Sequence, residues 1–241
     1  MKSGICLLAL AALLSHAPAT SRATDDPLAA VLRRGGNTVS LELTVRKKKR
    51  DSLAHFLELL GGTPPNAFAT GFVVGDGLVM TAHHVVSGGF SAHKKRLLGF
   101  SQDDQLEVDA YVNGCEATVL KVDVEADLAL LGVCGTGKTR GRPAFQAEPG
   151  PEERLHVFAR PNGDRSVRRG VFSGPYMYRG QQYWAAKIEG RDGFSGSPVY
   201  NDRGEIVGVY IAYDSARKLA LISPGARAQK LIEAHASGLK P

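Results

Sequence analysis

Between residues 37 and 222 the chain is a succession of short apolar or alternating runs separated by turn residues. Few folds accept that pattern. The runs cover 37–45, 68–74, 78–82, 97–100, 106–112, 117–122 and 128–133. After a Pro- and Gly-rich stretch at 143–153 they resume at 155–159, 167–172, 183–188, 197–200, 206–212 and 219–222. The first alternates apolar and polar residues, the signature of a strand with one buried face. The second and third flank Gly75-Asp76-Gly77, a hairpin turn signal. A helix is expected at 224–236, with Pro224 near its first turn and Leu231 and Ile232 facing inward. Many short strands with frequent turns argue for an all-β protein built of barrels or sandwiches. With 241 residues, 43% of them hydrophobic, the chain can fill one large domain or two small ones.

Three stretches carry chemistry. In Gly193-Phe194-Ser195-Gly196-Ser197-Pro198 a serine stands between glycines, which let the backbone approach a ligand closely. A serine hydroxyl is a weak nucleophile unless a base sits beside it and a third group orients the base. Thr81-Ala82-His83-His84-Val85-Val86 offers two histidines, and Asp127-Leu128-Ala129-Leu130-Leu131 opens on a carboxylate. Each of the three has a local rival: His83 for His84, Asp123 for Asp127, and Ser197 for Ser195.

The order His, Asp, Ser is that of the chymotrypsin arrangement, unlike the orders of subtilisin and the α/β-hydrolases. The segment TAHHVV resembles the TAAHVV or TNNHVV box of trypsin-like serine proteases, notably the HtrA/Deg and glutamyl-endopeptidase types. DLALL is similar to their aspartate strand and GFSGSPV to their GNSGGPL or GNSGSPV serine loop. The likeness spans roughly residues 37 to 235, with no PDZ-like module. It implies two six-stranded Greek-key β-barrels of chymotrypsin type and a C-terminal helix. One domain would span 24–142 and carry His84 and Asp127; the other would span 143–241 and carry Ser195. It implies peptide-bond hydrolysis through an acyl-enzyme, without cofactor or metal. His84 would be the base, Asp127 its orienting partner, and the amides of Gly193 and Ser195 the oxyanion hole. Phe194 departs from the usual asparagine or aspartate and is expected to pack over the cleft rim. The residue six before the nucleophile, Glu189, is expected at the floor of the primary specificity pocket, where it would favour Lys or Arg. Arg191 could neutralise it, and HtrA-like relatives prefer small apolar residues. The backbone of Tyr210, Ile211 and Ala212 would line the pocket wall. A catalytically silent or latent binding protein of the same fold is the alternative.

The N-terminus reads as a secretory signal peptide over 1–23. Lys2 is followed by a short apolar run and by two small-x-small cleavage candidates, Ala17-Pro18-Ala19 and Ser21-Arg22-Ala23. Export, to the periplasm or the exterior, would permit a disulfide between Cys115 and Cys134. The two bracket a pair of apolar runs and would lie nearly opposite in a hairpin, although two buried thiols fit the same spacing. Residues 132–139 match the phosphate-loop pattern GxxxxGK[ST], but Arg140-Gly141-Arg142-Pro143 does not open a helix, so no nucleotide is expected. The cation run 46–50 lies in an expected insertion, 46–66, that includes a short helix. It could meet an anionic partner, or be a solvated loop tip.

Overall fold

The computed structural model describes residues 35–48, 66–136, 143–146, 148–178 and 180–238. The expected signal peptide and the small helix of the 46–66 insertion lie outside the described residues. Among the described residues, twelve strands form two closed antiparallel barrels. The first is built from β1 (Thr38–Lys47), β2 (Ala67–Gly75), β3 (Leu78–Ala82), β4 (Leu106–Val112), β5 (Cys115–Asp123) and β6 (Leu128–Val133), closed in the order β1-β2-β3-β6-β5-β4. The second comprises β7 (Arg154–Ala159), β8 (Ser166–Tyr178), β9 (Gln181–Ala186), β10 (Pro198–Asn201), β11 (Ile206–Asp214) and β12 (Leu219–Pro224), closed as β10-β11-β12-β9-β8-β7. This is the chymotrypsin-type architecture expected from the sequence. Closure leaves neither sheet with a free edge.

Among the described residues, three α-helices sit outside the barrels: α1 (His83–Ser87), α2 (Ala92–Leu97) and α3 (Gly225–Gly238). The strand expected at 97–100 is a correction, because Leu97 instead ends α2. Ser91 caps that helix, its Oγ accepting from the Lys94 amide at 3.2 Å. Lys95 then ties the far end down by donating to the Gln102 and Asp104 carbonyls. Capping chemistry and good helix formers outweigh the two leucines that suggested a strand.

Leu128, Ala129, Leu130 and Leu131 of β6 are all inaccessible to solvent. A strand buried on both sides needs a continuous apolar run, which is why DLALL does not alternate. One side fills the first barrel. The same apolar cluster reaches Phe158, Tyr183, Val209 and Ile211 of the second barrel and Leu231 of α3. The seam between barrels is therefore a shared core, and the cleft above it opens between rigid walls. The stretch after residue 142 is sewn to β11: the Ile206 amide donates to the Ala144 carbonyl, and Gln146 donates back to Ile206.

Cys115 and Cys134 are joined in a disulfide with the Cα atoms 5.8 Å apart. Closing a loop of 19 residues constrains the unfolded chain and is worth about 3 kcal/mol in the chain-entropy model. Gly132 and Val133, the start of the phosphate-loop pattern, belong to β6, and Cys134 is the bridged cysteine. Part of the cation run is neutralised within the barrel. Arg46 pairs with Asp109 and Lys47 with Asp104, both across the β1–β4 side.

Candidate active site

The register of β3 against β6 pairs Ala82 with Leu128. The chain emerging from the end of β3 therefore meets the chain entering β6. That single pairing brings His84 to Asp127 across 43 residues of sequence. His84 lies in the first turn of α1, whose C-terminal end is set by Gly88 at φ 73°. Its Nδ1 is 2.6 Å from Asp127 Oδ2, while its backbone amide donates to Asp127 Oδ1 at 2.7 Å. The His83 amide donates to the Asp127 carbonyl at 2.9 Å. Asp127 adopts φ 54°, a left-handed conformation that aspartate tolerates better than most residues. With Nδ1 engaged by a carboxylate, Nε2 is the nitrogen left to exchange a proton.

The C-terminal helix and the second barrel also hold this turn. Arg227 on α3 makes a forked pair with Asp123, Nη2 to Oδ1 at 2.7 Å and Nε to Oδ2 at 2.8 Å. Asp123 Oδ1 in turn accepts from the Ala126 amide. The Tyr183 hydroxyl donates to the Glu125 carbonyl at 3.2 Å. Asp123 thus braces the turn from outside the cleft, while Asp127 meets the histidine.

Ser195 arrives on a tight loop between β9 and β10. Gly193 and Gly196 both take positive φ, 83° and 86°. A methyl group on Gly196 would overlap the Thr70 carbonyl and the Thr81 hydroxyl. Among the described residues, neither the Gly193 nor the Ser195 amide donates to a protein acceptor. The Ser195 hydroxyl donates to the Ile211 carbonyl at 3.2 Å and makes no hydrogen bond to His84. Ser197 is wholly buried with its Oγ unpartnered, which removes it from contact with any substrate. Phe194 differs from expectation. It is 1% exposed, in the second barrel's core, with its ring edge-to-face on Tyr210 at 6.0 Å. The two glycines beside it supply the turn that sends so large a ring inward.

His83, His84, Asp127, Gly193, Ser195, Tyr210, Ile211 and Ala212 all line one cleft of about 1150 Å³. Glu189 does not. It is exposed, whereas its neighbour Ile188 is buried in the second barrel. Gly190, which also lines the cleft, is crowded by two tyrosines. A methyl group on Gly190 would overlap the Tyr210 hydroxyl and come within 2.6 Å of Tyr213 Cβ. The Tyr210 hydroxyl is buried without a partner, and burial, followed by the nearby Tyr213, raises the phenol well above its ordinary pKa. No described residues form a cluster able to hold a metal.

Two antiparallel six-stranded barrels with a His–Asp pair facing a serine loop across their junction define a chymotrypsin-type peptidase architecture. The chain belongs to the trypsin-like peptidase domain family, whose model matches residues 69–209. Among solved structures it is similar to the Rv3671c protease of M. tuberculosis in its active form. That likeness has a TM-score of 0.58 at 18% identity and covers 85% of this chain and 82% of that one. It is also similar to Rv3671c of M. tuberculosis H37Rv as a serine-to-alanine mutant in an inactive form. There the TM-score is 0.55 at 18% identity, covering 88% and 92%. No curated protein sequence matches.

Proposed function

We propose that the protein is an exported serine endopeptidase in which His84, Asp127 and Ser195 act as a triad on polypeptide substrates. The observation that carries this reading is the paired contact of His84 with Asp127, through Nδ1 and the backbone amide together, in the cleft that holds Ser195. Asp127 fixes the imidazole tautomer and stabilises the imidazolium that forms. Ser195 Oγ attacks the scissile carbonyl carbon and passes its proton to His84 Nε2. The carbonyl oxygen takes up negative charge opposite the Gly193 and Ser195 amides. As the C–N bond breaks, His84 returns the proton to the leaving amine, and water then hydrolyses the acyl-enzyme by the same steps. In the resting arrangement the hydroxyl is directed to the Ile211 carbonyl. A substrate N–H that takes that carbonyl frees the hydroxyl to rotate between staggered wells toward His84.

The same resting contact is the one observation on the side of a latent or silent binding protein. Hydrolysis of an unfolded polypeptide separates the readings. The peptidase reading expects cleavage that follows the protein through purification and is lost in the His84→Ala variant; a folded wild type that cuts nothing favours the binding protein.

The crowding by Tyr210 and Tyr213 supports a preference for small uncharged residues on the acyl side of the scissile bond, and the exposure of Glu189 argues against Lys or Arg. A peptide library is expected to show glycine, alanine or serine there by at least about tenfold in kcat/KM over lysine, the range set by one to three kcal/mol of pocket fit. Equal or better cleavage after lysine would overturn this. The disulfide supports export. The N-terminus of protein recovered outside the cytoplasm tests it: a start near residue 24 agrees, and an intact Met1 does not.

A further inference from the structure

Thr70 joins the two halves of the site, although nothing in its sequence surroundings suggests it. It lies in β2 of the first barrel and is inaccessible to solvent. Its amide donates to the Ser195 carbonyl at 3.0 Å, and its hydroxyl donates to the Gly193 carbonyl at 2.7 Å. The same hydroxyl accepts from the Arg160 amide at 3.0 Å. Its carbonyl accepts from the Thr81 hydroxyl at 2.8 Å, and Thr81 stands at the end of β3, three residues before His84. Every polar group of this one residue is thus spent on a link. Two links reach the serine loop, one the second barrel's chain after β7, and one the strand that delivers the histidine.

Most buried hydroxyls in proteins are hydrogen-bonded, and that of Thr70 is engaged both as donor and as acceptor. The Gly196 backbone closes the same junction, since a side chain there would strike the Thr70 carbonyl and the Thr81 hydroxyl. The serine loop therefore sits against Thr70 and Thr81 with no slack. We propose that Thr70 is a positioning residue: by anchoring the Gly193 and Ser195 carbonyls to the histidine-bearing strands, it sets the approach of Ser195 to His84 and the aim of the two oxyanion amides. This rests on the peptidase reading of the site but makes a separate prediction.

The decisive pair of variants is Thr70→Val, which keeps the shape and removes the hydroxyl, and Thr70→Ser, which restores it. Two readouts are taken on the full chain: the labelling rate of the active serine by a fluorophosphonate, and amide hydrogen exchange over residues 193–197. Thr70→Val is expected to label about 10- to 100-fold more slowly, the range for a reacting group displaced by up to an ångström. Exchange in the loop should quicken, while Thr70→Ser stays within about threefold of wild type in labelling. Asn201→Ala removes another buried polar link, between β10 and the stretch after residue 142. It controls for general loss of stability and is expected to label at the wild-type rate. Thr70→Val labelling like wild type would overturn the proposal. So would loop exchange unchanged by the substitution, or equal slowing in Asn201→Ala. If folded wild type takes no probe, the peptidase reading has failed, and the exchange of Thr70→Val against Thr70→Ser alone decides whether Thr70 anchors the loop.

Discussion

Replacing Ser195 with alanine is expected to reduce kcat by about 10⁶-fold, the scale seen when a triad nucleophile is removed from a serine protease. In the proposed mechanism, the substitution deletes the atom that would form the acyl bond and little else. The loop is held by main-chain contacts: the Ser195 carbonyl accepts from Thr70 and the Gly196 amide donates to the Tyr210 carbonyl. The Gly193 and residue-195 amides proposed to hold the oxyanion also remain, so residual activity should come from binding and those amides alone. Ser197 cannot substitute, because it is fully buried. Steady-state kinetics on a fluorogenic peptide, with circular dichroism to confirm folding, checks this. A Ser195→Ala variant within tenfold of wild type would mean that the nucleophile is elsewhere.

The second large effect is expected at Asp127. Asparagine there is nearly isosteric, but its amide can present N–H to His84 Nδ1, which then accepts, and the histidine proton moves to Nε2. The nitrogen facing Ser195 can no longer take its proton, and kcat should fall by about 10⁴-fold. Asp123→Asn provides the comparison, because the two aspartates are four residues apart in one turn. Asp123 pairs with Arg227 and caps the Ala126 amide, with no contact to His84. Its loss should cost less than about tenfold in kcat, most of it through a partly exposed ion pair. Near-equal losses in the two variants would contradict the assignment.

The parts of the molecule that were legible in sequence are those encoded locally. Leu128 to Leu131 announce a strand with two buried faces, and the glycines around Ser195 announce a loop of unusual conformation. The His84–Asp127 contact was readable because each residue abuts its own strand, and the pairing of β3 with β6 does the rest. What sequence hid are links whose partners are far apart along the chain. The Thr70 hydroxyl finds its acceptor 123 residues away, and Arg227 finds Asp123 across 104. No periodicity or spacing marks such partners. Helix α1, with five residues, is too short to show a helical period. Phe194 and Glu189 were misplaced for a related reason: position within a motif does not say which way a side chain turns, and here burial against Tyr210 and the inward turn of Ile188 decide it.

The central claim is that Ser195 is an activated nucleophile, and fluorophosphonate labelling of the mature protein followed by peptide mapping tests it most directly. The account predicts a single phosphonylated residue, Ser195, with labelling absent from Ser195→Ala and lost in His84→Ala. Modification at another serine, or no modification of folded wild type at any pH, would contradict it.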